Sequence, residues 1–167
     1  MQFGSLKRST KLVPLLLGLL VLAGSASPTA AEDNNGLQIY TVEETFDDAA
    51  FYVENAIVDR GYKIDYRGHV GAMMERTAKD FDDAQPIYKS ADFFTFCSAR
   101  LSRAMIEADP ANVGFCPYVI FVYELADEPG KSHVGFRPLP LVGSEASQSA
   151  LNEINELLNA IAEEATE

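Results

Sequence analysis

Cys97 and Cys116 are the only cysteines of the 167-residue chain, and a pair of thiols admits three chemistries. They can close a disulfide, stand as buried thiols facing a ligand, or act as a redox-active or metal-binding pair. An even cysteine count in an exported chain favours the disulfide, and closing a loop of this size would contribute about 3 kcal/mol by restricting the unfolded chain. No Cys-x-x-Cys occurs, so a thioredoxin-type dithiol lacks its motif, and no Cys-x-x-Cys-His occurs for covalent haem attachment. His69 and His133, the only histidines, could join the cysteines around zinc or a softer metal. Isolated histidines more often serve as hydrogen-bonded or surface residues. Met73 and Met74 could ligate copper or haem iron, although methionine more often fills a core.

Other motifs fail on inspection. Gly130, Lys131 and Ser132 end like a phosphate-binding loop, but that motif needs a glycine five positions before Gly130 and Leu125 stands there. Neither a Gly-x-Ser-x-Gly elbow nor a Gly-x-Gly-x-x-Gly turn is present. Asp80, Asp82 and Asp83 lack the twelve-residue calcium-loop pattern around them and fit a solvated acidic turn. Phe93, Phe94, Phe96, Phe115, Phe121 and Tyr123 could line an apolar pocket, while at strand spacing most belong to a core. The sequence names no cofactor and contains no catalytic constellation, which points away from an enzyme.

The elements that would position these residues follow from periodicity and punctuation. Residues 37–42 alternate as a first strand, and Thr41 with Glu44 has capping-box spacing for the helix that follows. That helix places Phe46, Ala49, Ala50, Val53, Ala56 and Ile57 on one face and ends at Gly61. Residues 62–74 read as a strand interrupted by Gly68 and Gly71, a sign of a bulge or of a close approach to the backbone. A brief helix is expected within the long connection 75–89. Residues 91–97 form a Phe-rich strand, and Ser98 caps a helix carrying Leu101, Met105 and Ala108 that stops near Asp109 ahead of Pro110. Residues 118–125 are the most apolar strand and are expected to be central. The turn at 127–130 returns the chain as 133–139, whose end Pro138 and Pro140 would place at a sheet edge. Ser144 caps a last helix with Leu151, Ile154, Leu157, Leu158 and Ile161 on one face. Hairpin-linked strands with helices gathered on one side imply an α+β two-layer sandwich with one mainly antiparallel sheet.

Residues 1–31 read as an export signal. Lys7, Arg8 and Lys11 precede an apolar run at 12–23 and a small-residue stretch at 25–31, with cleavage expected after Ala31 or alternatively Ala26. The run is shorter than the ~20 residues that span a bilayer. Residues 32–36 would form a loose new terminus and 37–167 a single domain. Three of thirteen basic residues leave with the signal, so ten remain against twenty-five acids, a net charge of −15. That charge excludes nucleic acid and anionic lipid as partners. A soluble periplasmic or secreted protein is expected, with no membrane span after signal removal.

The segments FCSARLSRAMIEADP and FCPYVIFVYE resemble the Domain of Unknown Function family 302. In that pattern a cysteine ends a strand and heads a helix, an Asp-Pro pair closes the helix, and a proline with a nearby cysteine opens an apolar strand ending in Tyr-Glu. Here these are Cys97, Asp109 with Pro110, Cys116 with Pro117, and Tyr123 with Glu124. Many members place the second cysteine just after the proline, where Tyr118 stands here. Cys116 lies two residues earlier, and positions two apart along a strand share a face. The resemblance covers roughly residues 45–138. It implies a TATA-binding-protein-like sandwich, one antiparallel sheet backed by two main helices, often as a homodimer, and supplies no activity.

Together these features lead to an exported non-enzymatic binding or accessory module. Its pocket is expected near Cys97, Cys116 and Tyr118, with His69, Met73 and His133 as secondary candidates and a small apolar ligand or an envelope protein as partner. The rival readings are a cysteine-dependent redox, metal or haem-handling protein and a dimeric structural protein of the envelope.

Overall fold

The computed structural model describes Met1, residues 32–82 and residues 84–167. The expected export signal and its expected cleavage site lie outside the described residues, as does Asp83. The chain runs β1 (Glu32–Asn34), β2 (Leu37–Val42), α1 (Phe46–Val58), β3 (Ile64–His69), α2 (Val70–Thr77), β4 (Tyr88–Phe96), α3 (Ala99–Ala108), β5 (Tyr118–Leu125), β6 (Ser132–Phe136) and α4 (Glu145–Glu164), with short 3₁₀ segments at Ala78–Asp80 and Pro110–Phe115. The strands form one sheet in the order β1-β2-β6-β5-β4-β3, and every pairing is antiparallel. α1 and α4 lie against the sheet, and α3 packs on α4. This is the α+β layer architecture expected from the element order, with β5 inside the sheet.

The core follows from strand alternation. Phe94, Phe96, Tyr118, Ile120, Val122, Val134 and Phe136 project to the helix side and are buried. α1 meets them with Phe46, Ala49, Ala50, Val53, Ala56 and Ile57, all buried. α4 adds Leu151, Ile154, Leu158 and Ile161, with Leu157 half-buried. Each large aliphatic or aromatic side chain removed from water contributes about 1.5–3 kcal/mol. Ser98 and Ser144 cap α3 and α4 by accepting hydrogen bonds from the Leu101 and Ser147 amides.

Four local expectations are corrected. The cap of α1 is Thr45, which accepts from the Asp48 amide at 3.3 Å; Thr41 stays inside β2, where its hydroxyl meets His133 Nδ1 at 3.0 Å. The strand expected over 62–74 ends at His69, and Met73 lies on α2. Both glycines mark close approaches, for a Cβ on Gly68 would stand 2.2 Å from the Phe93 ring and one on Gly71 2.7 Å from the Ala91 nitrogen. The helix expected within 75–89 begins earlier, as α2, and the chain then runs through a single 3₁₀ turn. Lastly, β6 stops at Phe136 and lies between β2 and β5, so the prolines follow the strand and mark no edge.

Candidate functional site

β4 joins two polar clusters at its two ends. Past its last residue, Cys97 Sγ stands 2.8 Å from Cys116 Sγ, both as thiols. Ser102 Oγ, one turn into α3, lies 3.1 Å from Cys116 Sγ and 2.8 Å from the Tyr118 hydroxyl. Cys116 and Tyr118 thus meet on the Ser102 hydroxyl, with Cys97 beside Cys116. Burial, reinforced by hydrogen bonding to Cys116 and its charge, pushes the Cys97 thiol up to about 12. Burial likewise raises the Tyr118 hydroxyl. A thiol held so far above neutral carries almost no thiolate, the form that attacks disulfides and binds metals. Cys97 is therefore a poor nucleophile, and the 2.8 Å between the two sulfurs makes the pair a candidate for oxidation to a disulfide.

At the other end of β4 a cleft of about 1010 Å³ opens between α2, the 81–87 connection and the first residues of the strand. Phe46, Ala72, Met73, Met74, Phe81, Ile87 and Tyr88 supply apolar surface, and the polar groups include Arg67, His69, Glu75, Lys89 and Asp92. Asp92 is buried on β4 opposite His69. It accepts from Arg67 Nε at 2.7 Å and lies 3.0 Å from His69 Nδ1. Arg67 in turn lies over the Phe94 ring, 4.8 Å from its centroid. A carboxylate can only accept, so Nδ1 carries the imidazole proton and Nε2 turns its lone pair elsewhere. Five residues of extended chain, roughly 17 Å at ~3.4 Å per residue, separate Asp92 from Cys97. The two clusters are distinct sites.

His133 belongs to neither. It lies on the sheet face away from α1 and α4, stacked on Tyr123 with ring centroids 4.6 Å apart and joined to Thr41. No described pair of histidines and cysteines converges, and among the described residues no three His, Cys, Asp or Glu side chains gather as a metal cage. Lys89 Nζ reaches the buried Glu124 at 2.8 Å, and that carboxylate also accepts from Gly130 N at 2.7 Å and Phe46 N at 3.2 Å. The Tyr-Glu ending of β5 thereby anchors the start of α1 and the β5–β6 turn, and holds Lys89 at the margin of the cleft.

Asp92, Arg67 and Ser102 escaped the sequence reading, and Glu124 entered it only as the end of the Tyr-Glu pattern. A lone aspartate inside the apolar run ADFFTF was the available signal for Asp92, since an acid inside a core strand needs partners. The others carried no such mark, because their partners come from strands and helices distant in sequence.

The comparisons agree with this architecture. The family model described as "Domain of unknown function DUF302" matches residues 38–165. The chain is similar to the crystal structure of an uncharacterized conserved DUF302 protein from Bacillus stearothermophilus, with a TM-score of 0.64 and 17% identity, over 79% of this chain and 99% of that one. No curated protein matches. No helix among the described residues is long and apolar enough to cross a membrane. With that span of family pattern and the same fold, the chain belongs to the DUF302 family.

Proposed function

We propose that the protein is a non-enzymatic binding module and that its site is the cleft between α2 and β4. One observation carries this reading: a volume of about 1010 Å³ walled mainly by apolar side chains, whose Arg67, Asp92 and Lys89 are already paired inside the protein. Ligand sites are typically cavities of about 300–1,000 Å³ with few polar groups, which fix orientation. Arg67 is committed to Asp92 and Lys89 to Glu124, which favours a small, mainly apolar ligand over a highly charged one. The cysteine cluster then stiffens the far end of β4 rather than contacting the ligand.

The chain has no tryptophan, so Phe81→Trp, at a position 67% exposed on the cleft wall, installs a single reporter. Its emission is expected to shift to the blue when apolar candidates such as medium-chain fatty alcohols or quinones are added. Ala72→Phe, which narrows the cleft, is expected to weaken that response at least tenfold. A reporter indifferent to every apolar candidate would refute the reading.

A second reading, self-association, is favoured by the other face of the sheet. Tyr66, Phe93, Phe121, Tyr123 and His133 form a band of rings there. Phe93 and Phe121 lie directly over Gly68 and Gly135, which keeps the band flat. The register places no acid on this face in β2, β4, β5 or β6. Glu128 reaches the rim of the band, 3.9 Å from His133, and is paired there with Lys131 at 3.2 Å, so the face can meet its own copy with little like-charge repulsion. We infer a homodimer closed through this face.

A further inference from the structure

We propose that the cleft also holds one soft monovalent metal ion, Cu(I), ligated by His69 Nε2 and the Met73 thioether. The inference rests on the cleft described above but not on its apolar ligand, which would occupy the remaining volume.

Three observations meet here. The first is the buried carboxylate behind the imidazole. Asp92 is 7% exposed, is fixed by Arg67, and takes His69 Nδ1 at 3.0 Å. That arrangement sets the tautomer with Nε2 as the electron-pair donor and is the usual support behind a metal-bound histidine. The second is the exposure of the methionines. α2 buries none of its residues, and Met73 and Met74 are 43% and 36% exposed on the cleft wall. Core filling, the ordinary reason for a methionine, does not account for them.

The third is spacing. His69 is the N-cap residue of α2 and Met73 follows four positions later. His69 closes β3 with non-helical dihedrals (φ −100°, ψ 80°), so what places it with Met73 is the turn from strand into helix and the cleft that both residues line. Two ligands on one side of an ion cannot lie opposite each other, which disfavours the two axial positions of a haem. A three-coordinate ion suits them, with Met74 on the same wall as the third donor.

Donor chemistry selects the metal. Thioethers prefer soft ions such as Cu(I), whereas calcium and magnesium need oxygen donors. The described residues offer zinc no third His, Cys, Asp or Glu here. The imidazole and thioether are neutral, so the bound ion keeps its single charge, and the nearby Asp92 carboxylate offsets it.

The test is anaerobic titration of the whole protein with ascorbate-maintained Cu(I) against the chromophoric competitor bicinchoninate. Thiols also bind Cu(I), so the Cys97→Ser, Cys116→Ser double variant is titrated alongside. One ion per chain is expected in the double variant, and on that background His69→Ala should abolish it and Met73→Leu weaken it at least tenfold. Should the double variant fail to fold, a wild-type count that falls by one ion in both single variants reads the same site. Asp92→Asn, which alters positioning alone, is expected to weaken binding 10- to 100-fold while X-ray absorption still shows sulfur and nitrogen neighbours. Copper binding that disappears with the cysteines, or that survives both His69→Ala and Met73→Leu, overturns the proposal. The Phe81→Trp response to apolar ligand is read separately on copper-free protein, so that absent copper binding with that response intact overturns the metal site alone and leaves the cleft standing.

Discussion

Removing the Glu124 carboxylate is expected to cost the fold about 4 kcal/mol. The side chain is 1% exposed and accepts from three donors, Lys89 Nζ, Gly130 N and Phe46 N. Lys89 is 54% exposed and recovers water when its partner is lost, so its contribution is small. The two amides cannot recover so easily, and each buried donor left unsatisfied costs about 1–3 kcal/mol. Glu124→Ala should therefore lower the midpoint of thermal unfolding by roughly 12 °C, at about 3 °C per kcal/mol for a domain of this size. Glu124→Gln keeps one acceptor but turns an NH₂ group toward the second donor, and is expected to cost about 2 kcal/mol. The pH dependence is the sharper discriminator. Burial pushes this carboxyl up, but the hydrogen bonds from Lys89, Gly130 and Phe46 and the Lys89 charge outweigh it and hold the group below its ordinary value of 4.5. A folded-state value below the unfolded one means stability present in full above pH 4.5 and lost as pH falls through the depressed value. In urea unfolding followed by circular dichroism, the gap between wild type and Glu124→Gln should shrink steadily below pH 4.5. A gap that widens there would show that burial wins, and a Glu124→Ala cost under 1 kcal/mol would refute the anchoring role itself.

Two further outcomes follow from the cysteine cluster and the ring-bearing face. Protein isolated without reductant is expected to have an intact mass 2 Da below the reduced form. Reduction should then lower the unfolding midpoint by roughly 10 °C, from about 3 kcal/mol of loop restriction; an unchanged mass refutes the disulfide. Val119 lies 38% exposed on the ring-bearing face, and Val119→Glu should convert a dimer in analytical ultracentrifugation to a monomer with unchanged circular dichroism. Wild-type protein that sediments as a monomer at 100 μM refutes the interface.

The elements that were legible in the sequence are those whose periodicity reports burial. In α1 the i, i+3, i+4 set from Phe46 to Ile57 meets a sheet along its whole length, so each expected core residue is buried. The apolar alternation of β5 reflects a strand paired on both sides, and the capping serines of α3 and α4 act through bonds local in sequence. The Thr41 capping box misled because Glu43 and Glu44 do not enter the helix, and Thr41 is held by a cross-strand partner 92 residues away. The cysteine cluster was half legible. Two cysteines at the junctions of a strand-helix-strand unit announce themselves, but Ser102 joins them only through the geometry of α3.

α2 was expected too late in the chain, within 75–89, for a different reason, and the reason bears on function. A helix is read from the stripe it buries, and α2 buries nothing; Gly71, unfavourable inside a helix by about 1 kcal/mol relative to alanine, weakens the signal further. That glycine is required because β4 passes so close that a Cβ would collide with backbone at Ala91. The segment therefore gives up helix propensity to lie tight against the strand, and gives up a buried face to leave His69, Met73 and Met74 lining a cleft. Local rules fail in folded proteins mainly where a site imposes other demands. On that argument, the stretch whose secondary structure was hardest to read is the one on which binding depends. The Phe-rich strand matters most as its support: β4 carries Asp92 behind His69 at one end and leads into Cys97 at the other.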